Sequence, residues 1–528
     1  METQPLAGRW LAELERALSA GDEAALAALF LPDGHWRDVL ALTWRIGTVS
    51  GAAALAAALK LHAARARPRG FRVDPARTAP REVTRAGEKC VEAMFRFDTV
   101  DGPANGVVRF KGDRAWTLMT ALEDFKQPAP KKGEGPAVLI VGGGHAGLSI
   151  AARLKERGID ALIVDRWPRV GDNWRRRYGA LRLHNQVYVN HLPYLRYPDD
   201  FPVYIPKDQL ADWFETYQQR LQLPYWTGAE FKGGAYDGER WSVTVEREGK
   251  KHELHPRHVV LATGVSGIPS IPDIPALKNF HGKVIHSSQY DNAAAWKGKR
   301  ALVVGTGTSG HDIAQDLHSA GAQVTIVQRS PTLVVQLEPS AQLVYTLYHE
   351  GPPLEDCDLV TISVPLQVLT QAHKLAAAHA KRLDKDLLEA LERKGFRVDH
   401  ADQTGWQFKY LSRGGGYYFN VGGSDLIVDG KVRLAQFSEL EKLVPDTDLV
   451  VLATGYKGQE ALIERLFGKE MAQRVGPIWG FGEGQELRNM FQRTPQRGLW
   501  FIAGSFAQCR IYSKFLALQI QASESGLL

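Results

Sequence analysis

The residues best suited to chemistry in this chain of 528 residues lie in two glycine-rich loops. Val138-Leu139-Ile140-Val141 runs into Gly142-Gly143-Gly144-His145-Ala146-Gly147. Ala301-Leu302-Val303-Val304 runs into Gly305-Thr306-Gly307-Thr308-Ser309-Gly310. Each reads as a strand, then G-x-G-x-x-G, then a helical pattern. The first glycine permits a tight turn, and the second lets backbone approach a pyrophosphate. The third lets the helix pack close, with its N-terminus facing the phosphates. Two such loops in one chain point to two dinucleotides and to electron transfer between them.

The strands that follow the loops end differently. Ala161-Leu162-Ile163-Val164 ends at Asp165-Arg166. A carboxylate there accepts hydrogen bonds from ribose hydroxyls and repels an added phosphate. Val324-Thr325-Ile326-Val327-Gln328 ends at Arg329-Ser330. A guanidinium there suits a 2′-phosphate through charge-assisted bonds. The first loop therefore reads as a site for FAD or NAD, the second as a site for NADPH.

The elements around the loops make a larger pattern. From Pro136 onward strands alternate with helices, which predicts doubly wound α/β units. Val259-Val260-Leu261 and Leu449-Val450-Val451-Leu452 each end in Ala-Thr-Gly, at Gly264 and at Thr454-Gly455. Both are expected to return the chain to the first unit. The predicted boundaries are 137–279 and 446–528 for the first unit, and 280–445 for the second. An insertion at 336–425 is expected to cover the active site. Residues 127–136, rich in Pro, Gly and Lys, read as a linker. Before it, 10–29 reads as a helix pair broken at Gly21-Asp22, 51–61 as a helix, and 90–98, 106–111 and 114–125 as strands. Residues 1–126 are thus a small α+β unit. The fold class is α/β, two nested Rossmann-type domains preceded by this α+β domain.

Composition excludes several classes. Hydrophobic residues are 44% and charged residues 23%, ordinary for a globular protein, and the net charge of +6 suits anionic cofactors. No basic stripe with interleaved aromatics appears, so no nucleic-acid partner is expected. Three cysteines, Cys90, Cys357 and Cys509, form no C-x-x-C and no metal spacing. No signal-peptide pattern opens the chain, and no apolar run reaches the ~18 residues a bilayer requires. The expectation is a cytoplasmic protein with a small-molecule substrate, no metal and no membrane partner; a homodimer is left open.

One segment makes the pattern specific. Phe280-His281-Gly282-Lys283-Val284-Ile285-His286-Ser287-Ser288-Gln289-Tyr290 has the form F-x-G-x-x-x-H-S-x-x-Y, just before the second loop. With Gly171-Asp172-Asn173-Trp174, Leu181-Arg182-Leu183-His184, Phe201-Pro202-Val203-Tyr204 and Ala453-Thr454-Gly455-Tyr456, it makes the last three-quarters of the chain resemble the class B flavoprotein monooxygenases, the flavin-containing monooxygenase and YUCCA-like group. The first quarter resembles the NTF2-like or SnoaL-like cone domain. There Asp33-Gly34-His35-Trp36 and Trp44-Arg45-Ile46-Gly47 fall near its turns, and Asp33 and His35 read as turn and rim residues ahead of functional groups.

The resemblance implies FAD and NADPH as cofactors and O₂ as co-substrate. NADPH would reduce FAD, and a C4a-(hydro)peroxyflavin would pass one oxygen to substrate, the other leaving as water. Gly142, Gly144, Gly147, Asp165, Arg166, Trp174, His184 and Gly264 are expected around FAD. Gly305, Gly307, Ser309, Gly310, Arg329, Ser330, Thr454 and Gly455 are expected around NADPH or the crossing between the units. Asn185, His286 and Tyr290 are the catalytic candidates. Asn185 would donate to the oxygenated flavin or hold NADP⁺, or else cap a turn. His286 would bond across the domain junction, or else finish a strand. Arg182 would matter for Baeyer–Villiger oxygenation, which stands second because Tyr290 replaces that group's tryptophan. An uncoupled NADPH oxidase and a non-enzymatic redox sensor rank lower. A 2-oxo acid or a soft N or S centre suits the resemblance as substrate.

Overall fold

The computed structural model describes residues 3–127, 133–179, 181–265 and 267–528. Most of the expected linker, 128–132, lies outside the described residues.

The N-terminal unit packs the helices Thr3–Ala20, Glu23–Ala28 and Ala52–Ala66 onto a seven-stranded sheet. The helix pair breaks at Gly21-Asp22 because Asp22 caps the second helix, its carboxylate accepting from the Ala25 amide at 3.0 Å. Aromatic edges fill the interior: Trp10 meets Phe30 at 5.6 Å and Phe110 at 5.4 Å. Asp33, Gly34 and His35 are not turn residues. They lie inside the strand Phe30–Val39, which pairs with Arg114–Leu122 in parallel and with Ile46–Ser50 antiparallel. A register shift between Phe30 and His35 accommodates Pro32 and Gly34, and this local irregularity is what reads as a turn. His35 bonds Ser50 Oγ at 2.8 Å.

Two parallel sheets follow. The first runs, by strand, Tyr225–Trp226, Ala161–Val164, Val138–Val141, His258–Leu261, Leu499–Phe501. The second runs Lys283–His286, Leu449–Leu452, Arg300–Val304, Gln323–Gln328, Arg433–Gln436. Both are covered on their faces, so their strands are near-continuous apolar runs. The second sheet is inserted between strands of the first. One expectation needs correction here. Leu449–Leu452 does not return the chain to the first sheet; it pairs with Lys283–His286 and Arg300–Val304 at the centre of the second. The crossing comes just after it, where Tyr456–Lys457 pairs antiparallel with Ile268–Pro269. Among the described residues no helix is long and apolar enough to cross a membrane.

The N-terminal unit is joined to the rest by buried charge as well as apolar contact. Glu92 and Arg109, each about 1% exposed, pair at 2.9 Å; Arg109 also donates to Ser363 Oγ at 2.7 Å. Burial alone would raise the Glu92 pKa, but Arg109, Arg85 and Arg81 hold it down at about 2. The pair therefore stabilises the fold fully above the ordinary carboxylate range and loses that contribution as pH falls through about 2. Glu92→Gln leaves Arg109 buried without its charge partner and is expected to cost about 3 kcal/mol at pH 7. The gap between variant and wild type should narrow as pH falls from 4.5 towards 2, read from chemical unfolding midpoints. A gap that stays constant would assign the loss to packing instead.

Candidate active site

Both loops have the same backbone design. Gly142 has φ +105° and Gly305 φ +118°, conformations that favour glycine. A Cβ on Gly142 would sit 2.7 Å from the carbonyl oxygen of Ala262, and one on Gly305 would overlap that of Ala453. Each loop is thus pressed against the strand that ends in Ala-Thr-Gly. Gly147 and Gly310 open the helices His145–Glu156 and Thr308–Ser319. A Cβ on either would overlap the carbonyl oxygen of its own loop's first glycine. Gly144 and Gly307 are the helix N-caps, with φ −77° and −79°. In front of Gly307 the nearest atom to a built Cβ is Tyr417 O, 3.8 Å away, so that approach is open. In front of Gly144 stands Asn173 Nδ2, at 2.9 Å.

The strand ends differ as their chemistry requires. Asp165 is buried and accepts from the amides of Gly143 at 2.7 Å and Trp167 at 2.9 Å. Burial raises its pKa while those amides oppose the shift. The carboxylate therefore fixes the first loop. Arg166 is exposed and lies over Trp167, 4.9 Å from the ring centre. Arg329 and Ser330 are exposed. Arg397 Nη2 donates to the Arg329 carbonyl at 2.6 Å, so two guanidinium groups flank this strand end. Ser309 is half-buried in the first turn of its helix.

The junction residues bond to each other. His286 Nε2 meets Gly455 O at 3.1 Å, and its Nδ1 accepts from the Ser288 amide at 3.1 Å. Burial lowers its pKa, so the ring is neutral and donates through Nε2. Thr454 Oγ1 donates to Ser270 O at 2.6 Å, and Gly264 O accepts from Gln459 Nε2 at 2.8 Å. Tyr290 donates to Asp316 Oδ2 at 2.6 Å inside the second unit. Across the same junction the phenol of Tyr178, which packs in the core of the second unit, donates to Asp312 Oδ2. Burial pushes Asp312 up to about 6.

A cavity of about 350 Å³ opens beside the first loop. His145, Trp174, Ser505 and Phe506 line its near end, and Asn185 lies on its wall. His145 directly follows Gly144; its Nε2 meets Gly504 O at 2.8 Å and its ring stacks on Phe506 at 4.2 Å. Burial lowers its pKa to about 4, so it is neutral at pH 7. The insertion contributes Tyr345, Trp406, Tyr417 and Phe419. The far wall comes from the N-terminal unit, through Arg37, and from the loop that carries Glu486.

Of the three catalytic candidates, only Asn185 lines this cavity. His286 and Tyr290 do not, because their polar atoms are held in the junction and in the second unit. His184 stands behind the wall, edge-on to Phe419 at 5.5 Å, its pKa lowered to about 4 by burial. Arg182 is exposed and its backbone bridges to Pro206. Several cavity residues escape sequence reasoning. His145 sits inside a quoted motif whose pattern names only glycines. Arg37 and Glu486 are 449 positions apart and carry no local signal. The Ser505–Gln508 end does carry one, a Ser-x-x-Gln capping box in which Ser505 Oγ accepts from the Gln508 amide at 3.2 Å.

Residues 135–341 match the model of the flavin-binding monooxygenase-like family. The chain is similar to indole-3-pyruvate monooxygenase YUCCA1 of Oryza sativa subsp. japonica, 34% identical over 204 residues, 38% of this chain and 50% of that protein. It is also similar to the probable indole-3-pyruvate monooxygenase YUCCA1 of Arabidopsis thaliana, 27% identical over 332 residues, 60% of this chain and 75% of that one. The chain spans about half the length of most of the curated relatives it matches. Among solved structures, a variant flavin monooxygenase from Stenotrophomonas maltophilia matches with TM-score 0.50 and 17% identity, over 74% of this chain and 99% of that one. OTEMO in complex with FAD and NADP matches with TM-score 0.52 and 15% identity, over 74% and 86%. These structural likenesses are of fold.

The loop geometry separates two glycines of the same motif. Gly310→Ala places a methyl group against a backbone carbonyl and is expected to lower stability by about 1–3 kcal/mol. Gly307→Ala meets open space at negative φ; the lost N-cap preference for glycine is partly offset through the unfolded chain, so it should cost less than about 1 kcal/mol. Thermal melts of the two variants check this, and equal losses would refute the packing role of Gly310.

Proposed function

We propose, from the premise that residues 135–341 are flavin-binding monooxygenase-like, that this chain is an FAD- and NADPH-dependent monooxygenase. One atom of O₂ enters a small organic substrate, the other becomes water, and two electrons come from NADPH. The observation that carries this reading is the joint placement of two dinucleotide loops with one aromatic-walled cavity beside the first of them.

The residues present fit the two groups. The first loop opens its helix at the N-cap Gly144, beside the Asn173 amide, with Asp165 fixing the Gly143 amide and Trp174 at the cavity edge. The second leaves the approach to Gly307 open, with Arg329 and Arg397 at the strand end for a 2′-phosphate. Bound FAD and NADPH would supply the redox chemistry and the activation of O₂. The protein's part is positional. The junction bonds of His286, Thr454 and Gly455 hold the two units in register. Aromatic walls at Trp406, Phe419 and Phe506 exclude water from the reacting centre. Asn185 offers an amide to the oxygen being transferred or to the nicotinamide. Neutral His145 adds no charge of its own at the near end of the cavity.

Turnover of thioanisole under ¹⁸O₂ with NADPH tests the activity. The sulfoxide should carry one labelled oxygen for each NADPH consumed. Hydrogen peroxide formed one-for-one with NADPH, and no labelled sulfoxide, assigns an oxidase instead. For the second loop, Arg329→Ala should raise the KM for NADPH by roughly ten- to a hundredfold, the worth of a hydrogen bond to a charged group. The KM for NADH should stay within about twofold, since NADH lacks the phosphate. A parallel rise for both would remove Arg329 from phosphate recognition.

A further inference from the structure

The cavity's electrostatics select among substrates. Among the described residues that line it, Arg37 is the one permanent cation and Glu486 the one carboxylate. They are already joined: Arg37 Nε to Glu486 Oε1 at 2.7 Å and Nη2 to Oε2 at 2.6 Å, a two-pronged pair. Arg37 also donates to Tyr512 Oη at 3.3 Å and to the Ile362 carbonyl. The side chains are 5% and 15% exposed. Burial alone would favour loss of the Arg37 proton, but Glu486 more than reverses this, so Arg37 stays charged. His145 brings no charge.

A carboxylate substrate would enter this space without a free cation. Taking Arg37 for itself would strand Glu486 as an uncompensated buried anion. A cationic amine would have to compete with Arg37 for a carboxylate that already holds it by two bonds. The walls are aromatic planes, Trp406 and Phe419 meeting edge-to-face at 4.7 Å and Trp174 lying 6.1 Å from Phe506.

We infer that the cavity takes an uncharged, flat aromatic molecule, and that the N-terminal unit enforces this choice through Arg37. The inference rests on the reading of this cavity as the active site. It separates this chain from relatives named for indole-3-pyruvate, a 2-oxo acid that is anionic at pH 7.

Calorimetric titration of the FAD-loaded protein with three probes tests it: indole, indole-3-acetate and tryptamine. Indole should bind at least tenfold more tightly than indole-3-acetate or tryptamine. Glu486→Gln keeps the shape of the side chain and frees Arg37. It should improve indole-3-acetate relative to indole by about tenfold, a reversal that simple loosening of the wall would not produce. Indole-3-acetate or tryptamine binding the wild type as tightly as indole overturns the inference, as does an unchanged ratio in a folded Glu486→Gln protein or no binding of indole. Should Glu486→Gln fail to fold, the wild-type ranking decides. If oxygen labelling fails while the ranking holds, the activity is lost and the ligand class stands.

Discussion

The close approach of two glycine loops to two strand-end carbonyls is the constraint on which the rest depends. Gly142 lies against Ala262 O and Gly305 against Ala453 O, and neither position has room for a side chain. That contact is to backbone, with the Ala453 Cβ also close to Gly305 and Gly310, so a small residue followed by a turn suits these strand ends, as in the paired Ala-Thr-Gly segments. It also sets the crossing between units. Immediately after Gly455, Tyr456–Lys457 pairs with Ile268–Pro269, and His286 bonds the Gly455 carbonyl. The relative setting of the two sheets follows from that crossing, with Tyr178 and Asp312 adding a polar contact across the same junction.

A second constraint unites the N-terminal unit with the first sheet. The helix Phe506–Glu524 is buried along nearly its whole length. Cys509, Leu516, Ala517 and Ile520 pack into the core of the first sheet. Ile511, Phe515, Leu518 and Ala522 pack into the core of the N-terminal unit, where they meet Leu359, Val360 and Ile362 of the insertion. A helix apolar on opposite faces must be buried on both. Its N-terminus, capped by Ser505, is thereby delivered to the cavity. The N-terminal unit is consequently part of the site's wall and not an appendage.

What could be read in the sequence was what depends on local spacing. The glycine loops, their helices, the strand-end Asp165 and Arg329, and the α+β character of the first quarter all follow from short motifs or periodicity. Strand 449–452 was misassigned because a buried parallel strand reads identically in either sheet; only pairing, a long-range property, distinguishes them. Asp33 and His35 read as a turn because proline and glycine at a strand irregularity mimic one. The cavity wall was least legible. Arg37, His145, Asn185, Trp406 and Glu486 come from five separate stretches, and no one-dimensional pattern records that folding brings them together. His286 shows the converse. Its motif is conspicuous, and its ring is committed to Gly455 and Ser288 beside the crossing between units, outside the lining of the cavity next to the first loop.

The ion pair at the far wall illustrates how specificity arises without a direct contact to substrate. A buried arginine paired by two hydrogen bonds to a carboxylate contributes little net stability over apolar residues of similar size. Its retention in a wall otherwise built of aromatic rings therefore calls for a reason other than stability. The pair ties Arg37 of the N-terminal sheet to the loop around Glu486, where Gln485, Asn489 and Phe491 all adopt positive φ. Such a loop persists only when its surroundings over-determine it. Holding it in place closes the far wall of the cavity while cancelling both charges that a polar substrate would seek. Positional order and electrical neutrality are thus consequences of one interaction, and both act on whatever molecule lies between Trp174 and Phe419.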